Sequence, residues 1–232
     1  MSLSLPTLLP AAPAASGAGT LQELQERIHV LQGRRNREGS YPVLPCFAPL
    51  LPSGLRGGAA YSLEVPLSVA MALLAGASAE GQWCGAVGFP DFGTEAAAGF
   101  GIVLDRLVLV PDPGEHWFPV VAALVDVLPL LLVQGPGRVA PGEAAMLGSR
   151  LRERAGALLV LGPWPQSEAV LRVRGTSWEG LGEGHGHLSR HRVELELTQR
   201  GLARSAVVDL GAPGVVALRT GAARPQAAGG WP

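Results

Sequence analysis

Short apolar runs alternate with longer amphipathic or small-residue stretches through the middle of this chain. Residues 57–61, 83–89, 106–110, 129–134 and 157–162 are apolar and bounded by Gly or Pro, the look of strands buried on both faces. Between them, residues 66–75, 94–100, 116–126 and 142–155 read as helices, with Pro66 and Pro141 suited to helix starts and Gly76 and Gly156 to helix ends. Strand–helix repetition with short connections predicts an α/β fold, a mostly parallel central sheet with helices on both faces. After Pro165 the pattern changes. Residues 168–178 and 190–199 read as strands, and Val193, Leu195 and Leu197 alternate with Glu194, Glu196 and Thr198 as in a sheet with one wet face. They predict antiparallel strands added at the C-terminal side.

The flanks are different. Residues 1–19 are Ala/Pro-rich without a positive leader region, and a disordered tail is expected rather than a signal peptide. Leu21, Leu24, Ile28 and Leu31 recur at helical spacing behind Thr20 and Glu23, a capping box, with Gly33 as the stop; this is an amphipathic helix outside the core. An Arg-rich linker to residue 40 joins it to a core expected over residues 41–200. Residues 201–232 hold two weak apolar runs and are expected to be a C-terminal tail, partly flexible or ordered on a partner.

Composition narrows the function classes. The 232 residues suit one sheet covered on both faces. A formal charge of −1 and a pI near 6.5 supply no global attraction for nucleic acid. The mean hydropathy of +0.26, with only 16% charged residues, implies a large core or an apolar surface that meets a partner. Cys46 and Cys84 form neither a metal spacing nor a disulfide framework, so a reducing cytoplasm is expected. The most apolar stretch, residues 118–133, is interrupted by Pro119, Asp126 and Pro129 and is too short to span a membrane.

The stretch from residue 53 to 75 has the layout of a phosphate-binding strand, loop and helix without the residues that hold phosphate. A P-loop needs glycines whose N–H groups converge on the phosphates, a Lys, and a Ser or Thr for Mg²⁺. Here the turn is expected at Ser62, Leu63, Glu64 and Val65, none of them Gly, and Glu64 repels a polyphosphate. Pro66 lies close to the Lys slot, Ser68 alone is placed for the Mg²⁺ role, and all eighteen basic residues of the chain are Arg.

Other constellations have plainer readings beside them. His185, His187 and His191, with Glu183, contain a His-x-His pair suited to Zn²⁺, but no Cys or second carboxylate completes the shell, and a polar hairpin loop explains them. Arg34, Arg35 and Arg37, and the run Arg150, Arg152 and Arg154, are candidate DNA contacts; solvated arginines on a linker and a helix face explain them equally. Trp83, Trp117, Trp164 and Trp178 are expected to pack the core or its rim; Trp164, between two prolines, is also a candidate partner anchor. The chain has no Gly-x-Ser-x-Gly elbow.

In sum, the stretches LLPSGLRGGAAYSL, VPLSVAMALLAGA, WCGAVGFPD, LDRLVLVPDPGE and LPLLLVQ resemble, in this order, the first strand, P-loop helix and following strands of a RecA-like core over residues 42–200. VRGTSWEGLGEGHGHLSRH is similar to the actinobacterial ImuA-type accessory proteins of the translesion mutasome. The resemblance implies that Gln134 stands in the slot of the Walker B Asp and Asp91 near that of the water-activating carboxylate. It further implies a non-catalytic adaptor without cofactor or metal, binding an ImuB-type Y-family polymerase homologue in the SOS response. Through that partner it would reach an error-prone replicative-type polymerase and the sliding clamp. Leu21, Leu24, Ile28 and Leu31 are the first expected interface, and the C-terminal tail the second. The rival readings are a nucleotide-binding ATPase with an atypical loop and a DNA-binding recombination mediator that uses Arg34, Arg35 and Arg37.

Overall fold

The computed structural model describes residues 39–179 and 190–211. The predicted helix with Leu21, Leu24, Ile28 and Leu31, the arginines at 34, 35 and 37, and Glu183, His185 and His187 lie outside the described residues. A small antiparallel pair, β1 (Ser40–Tyr41) and β2 (Leu55–Arg56), precedes the main sheet. The sheet is built from β3 (Ala59–Glu64), β4 (Cys84–Val87), β5 (Leu107–Val110), β6 (Leu130–Gln134), β7 (Ala157–Leu161), β8 (Ala169–Glu179), β9 (Arg190–Gln199) and β10 (Leu202–Asp209). The helices are α1 (Leu67–Ala79), α2 (Thr94–Gly99), α3 (Trp117–Val125) and α4 (Pro141–Arg154).

The strand order is β10-β9-β8-β3-β7-β6-β4-β5. From β5 to β8 every neighbouring pair is parallel, and β9 and β10 are added antiparallel. The mixed α/β architecture with C-terminal antiparallel strands follows the apolar pattern. After β3 the chain passes over two strand positions to β4 and β5, then returns through β6 and β7. Right-handed crossovers in opposite directions put α1 on one face and α3 and α4 on the other. The core divides accordingly: Leu130, Leu132 and Leu159 pack with α1, while Leu131, Val133, Leu158 and Val160 pack with α3 and α4. This is the two-residue alternation of a sheet buried on both sides. No helix among the described residues is long and apolar enough to cross a membrane.

Residues 168–178, expected to be an antiparallel addition, instead form β8, parallel to β3 and antiparallel only to β9. Four further expectations are corrected. Strand β3 continues through Ser62, Leu63 and Glu64 because Ser62 and Leu63 stay in register with Val160 and Leu161 of β7, and Glu64 with Arg172 of β8; the expected turn is strand. Helix α1 runs through Gly76 to Ala79. Its residues 69–78 are all buried, and a helix apolar on every side needs cover on every side; part of that cover is the segment around Pro42 and Val43, which crosses at Gly76. The left-handed C-cap of α4 is Ala155 (φ 52°), one residue ahead of the expected Gly156. The fourth concerns the C-terminal tail: Leu202–Asp209 is strand β10, in unbroken antiparallel register with β9. Arg200 and Gly201, both at positive φ, form the two-residue turn between them, whose twist suits a hairpin.

Candidate functional site

In parallel sheets, ligand crevices open at the carboxyl ends of strands whose following helices lie on opposite faces. Such a cleft, about 450 Å³ in volume, lies here against the ends of β3, β6 and β7. Leu63, Glu64, Val65, Pro66 and Gln134 line it, and Leu161, Gly162, Val173, Thr176 and Val193 complete it. The fold therefore brings together most of the residues predicted for the vacant phosphate slot. It leaves out Ser68, half-buried in the first turn of α1, and Asp91, exposed in the turn after β4. Ser62 is buried, its hydroxyl donating to the Gly162 carbonyl at 2.8 Å.

The geometry of the strand-to-helix junction decides its chemistry. Only Val65 and Pro66 connect β3 to α1, and Pro66 has no N–H to offer. The amides of Val69 and Ala70 already donate to the Pro66 carbonyl at 3.0 and 3.3 Å. An eight-residue phosphate nest has no room in a two-residue connection. The local charge is also wrong for phosphate: Glu64 holds Arg172 through two hydrogen bonds of 2.7 and 2.8 Å. Those bonds keep the Arg172 guanidinium above its usual pKa and commit it to Glu64. Gln134 projects an uncharged amide, while its carbonyl accepts the Trp117 indole N–H at 2.9 Å. Leu63, Val65, Leu161, Val173 and Val193 make the remaining wall mostly apolar.

Trp164 is not a partner anchor. It is 7% exposed and packs on Trp117 with ring centroids 6.3 Å apart, in the core beneath α3 and α4. Arg150 and Arg154 both pair with Asp126 at the end of α3, and Arg152 between them is exposed. Trp83 and Trp178 are half-exposed, and Trp178 stacks on His191 with centroids 3.7 Å apart. His191 Nε2 lies 3.0 Å from Thr176 Oγ1, so the ring is occupied by packing and a hydrogen bond. Among the described residues no group of three or more His, Cys, Asp or Glu is placed to hold a metal. Burial pushes the Cys46 thiol up to about 11 and Cys84 up to about 12, leaving both protonated and poor nucleophiles at neutral pH.

His191 makes stability depend on pH in a definite direction. Burial lowers its pKa, against a smaller upward pull from Asp209, so the unfolded chain binds the proton more tightly. Its stabilising contribution is complete above the unfolded value of ~6.5 and is lost as pH falls through the lower native value. His191→Phe keeps a ring on Trp178 without titrating. Its melting temperature is expected to fall less than that of the wild type between about pH 7.5 and 5; equal slopes by differential scanning fluorimetry would refute the assignment.

Residues 49–166 match the family model of the MT3502 N-terminal domain. The chain belongs to that family. The uncharacterized protein Rv3395c of Mycobacterium tuberculosis is 31% identical to it over 170 residues, 71% of this chain and 80% of that protein. The MT3502 match spans β3 to β7, including Glu64, Gln134 and Trp164, and ends before β8. Val173, Thr176 and Val193, which complete the cleft, and Arg172, which pairs with Glu64, thus come from strands beyond the matched domain. No local signal marked them, because β8 lies beside β3 through pairing about a hundred residues away in sequence.

Proposed function

We propose that this protein is an ImuA-type adaptor with a RecA-like core. In this reading it performs no catalysis and binds an ImuB-type Y-family polymerase homologue during damage-induced translesion synthesis in the cytoplasm. The observation that carries the reading is the closed junction at β3 and α1: two connecting residues, one of them proline, and a carboxylate tied to Arg172 stand where a triphosphate would need glycines and a cation. A core that does not open and close around nucleotide serves as a rigid platform for protein contacts. The mycobacterial relative agrees with the actinobacterial resemblance of the sequence.

Two measurements test the proposal. Isothermal titration with ATP and Mg²⁺ is expected to give no saturable heat, and clear binding would favour the atypical-ATPase reading. An affinity pull-down from the DNA-damaged native host is expected to retain an ImuB-type polymerase homologue. Its absence from the eluate, with the bait intact, would sink the adaptor reading.

A further inference from the structure

We propose that the free edge of β10 and the arginines beside it form a docking site for an acidic, extended segment of a partner protein, added to the sheet as a further strand. The arginine pocket shares no lining residue with the cleft, and the site stands independently of the translesion reading. Arg56 and Arg200 approach Glu168 at 3.4 and 3.5 Å, and Gln199 donates to the same carboxylate at 2.8 Å. Arg204 completes the pocket of about 260 Å³ and makes no ion pair among the described residues. Two guanidinium groups therefore share one carboxylate and a third, on Arg204, stands beside them, a surplus of positive charge in a protein whose net charge is −1. Arg200 holds a left-handed backbone conformation (φ 51°) in the β9–β10 turn, where Asn, Asp or Gly is usual.

Among the described residues the adjoining edge is open to pairing. Leu210 N donates to the opposite His191 carbonyl, so by the alternation of an antiparallel ladder the even-numbered residues of β10 bond β9. Ala203, Ser205 and Val207 direct their N–H and C=O groups outward. The strand has no proline and no register break, two devices that commonly block edge pairing. Leu202 and Val207 are 70% and 57% exposed. Backbone bonding to an exposed edge supplies affinity, and side chains on alternate positions supply selectivity. Here Arg204 selects a carboxylate on one face, and Val207 an apolar residue on the other.

Other occupants fit less well. Residues 210–232 contain Arg219 and Arg224 and no carboxylate, so they do not complement the arginines. In a second copy, Arg204 and Asp209 are an odd number of residues apart and face opposite sides of the sheet. Symmetric antiparallel pairing of two β10 strands therefore cannot set one against the other. A phosphodiester chain would gain nothing from the open backbone and would meet Glu168.

Fluorescence anisotropy of the full chain with a fluorescein-labelled decapeptide of alternating Leu and Glu is the test. Saturable binding is expected, weakening with salt, about tenfold weaker in the Arg200→Ala/Arg204→Ala double variant. Binding should be lost in Val207→Pro, which removes only an outward N–H. Should Val207→Pro fail to fold, Arg204→Glu decides: it is expected to shift preference toward the same peptide with Lys in place of Glu. Wild-type preference for the Lys peptide, no change in either arginine variant, or binding of labelled oligo-dT in place of the peptide would each overturn the proposal. So would a wild-type dimer that Val207→Pro dissociates, since the edge would then belong to a second copy.

Discussion

Gly76→Ala is expected to lower stability by about 2 kcal/mol, although it exchanges glycine for the best helix former within a helix. A Cβ at this position would lie 2.6 Å from both the Cα and carbonyl carbon of Val43 and 2.7 Å from the Pro42 carbonyl oxygen. These are backbone atoms, so no side-chain rotation relieves the overlap. Overpacking typically costs ~1–3 kcal/mol and more when backbone must shift, which outweighs a propensity gain of at most ~1 kcal/mol. For a chain of this size the melting temperature should fall by about 4–8 °C. Gly142→Ala in α4 is the control: a Cβ there meets nothing within 4 Å, and the same exchange should leave stability unchanged or raise it slightly. A Gly76→Ala protein that melts at or above the wild type would show that α1 is not held against the segment at Val43.

Trp164→Ala should cost about 3–5 kcal/mol, read as a shift of the urea midpoint, because it empties a large buried site. The ring is packed on Trp117 among Val160, Val133 and the residues of α3 and α4. The loss would spread to the cleft, since Trp117 also holds the Gln134 carbonyl at the end of β6. Trp164→Phe, which retains most of the volume, should lose less. A Trp164→Ala protein with wild-type stability would restore the partner-anchor interpretation suggested by the flanking prolines.

The parallel strands β3 to β7 were legible because each carries its own evidence: short apolar runs bounded by Gly or Pro, such as that at residues 129–134, are the pattern of strands buried on two faces. The hairpin of β9 and β10 was only half legible. Val193, Leu195 and Leu197 alternate with polar residues, but Leu202–Asp209 reads LARSAVVD, with no regular alternation and an Arg where a hairpin turn favours Asn or Asp. Its strand character comes from pairing with β9, an interaction between segments that local composition does not encode. The choice between core packing and a partner anchor at Trp164 was open for a related reason. Two flanking prolines suggest an exposed rigid corner, but burial depends on which surface that corner meets, here the face of Trp117.

What could be read along the chain was what each residue type can or cannot do by itself: no lysine, no glycine between Ser62 and Pro66, an amide at Gln134. Those absences are chemical and need no fold to be true. What required three dimensions was the company these residues keep. The parallel pairing that carries β3 through Glu64 shortens the loop to two residues, and β8, laid alongside, delivers Arg172 to the carboxylate. Among the described residues the same sheet leaves Arg204 and the outer edge of β10 unpaired. Strand neighbours far apart in sequence are set by burial and hydrogen bonding across the whole sheet, so the closed cleft and the open edge are properties of the assembled layers.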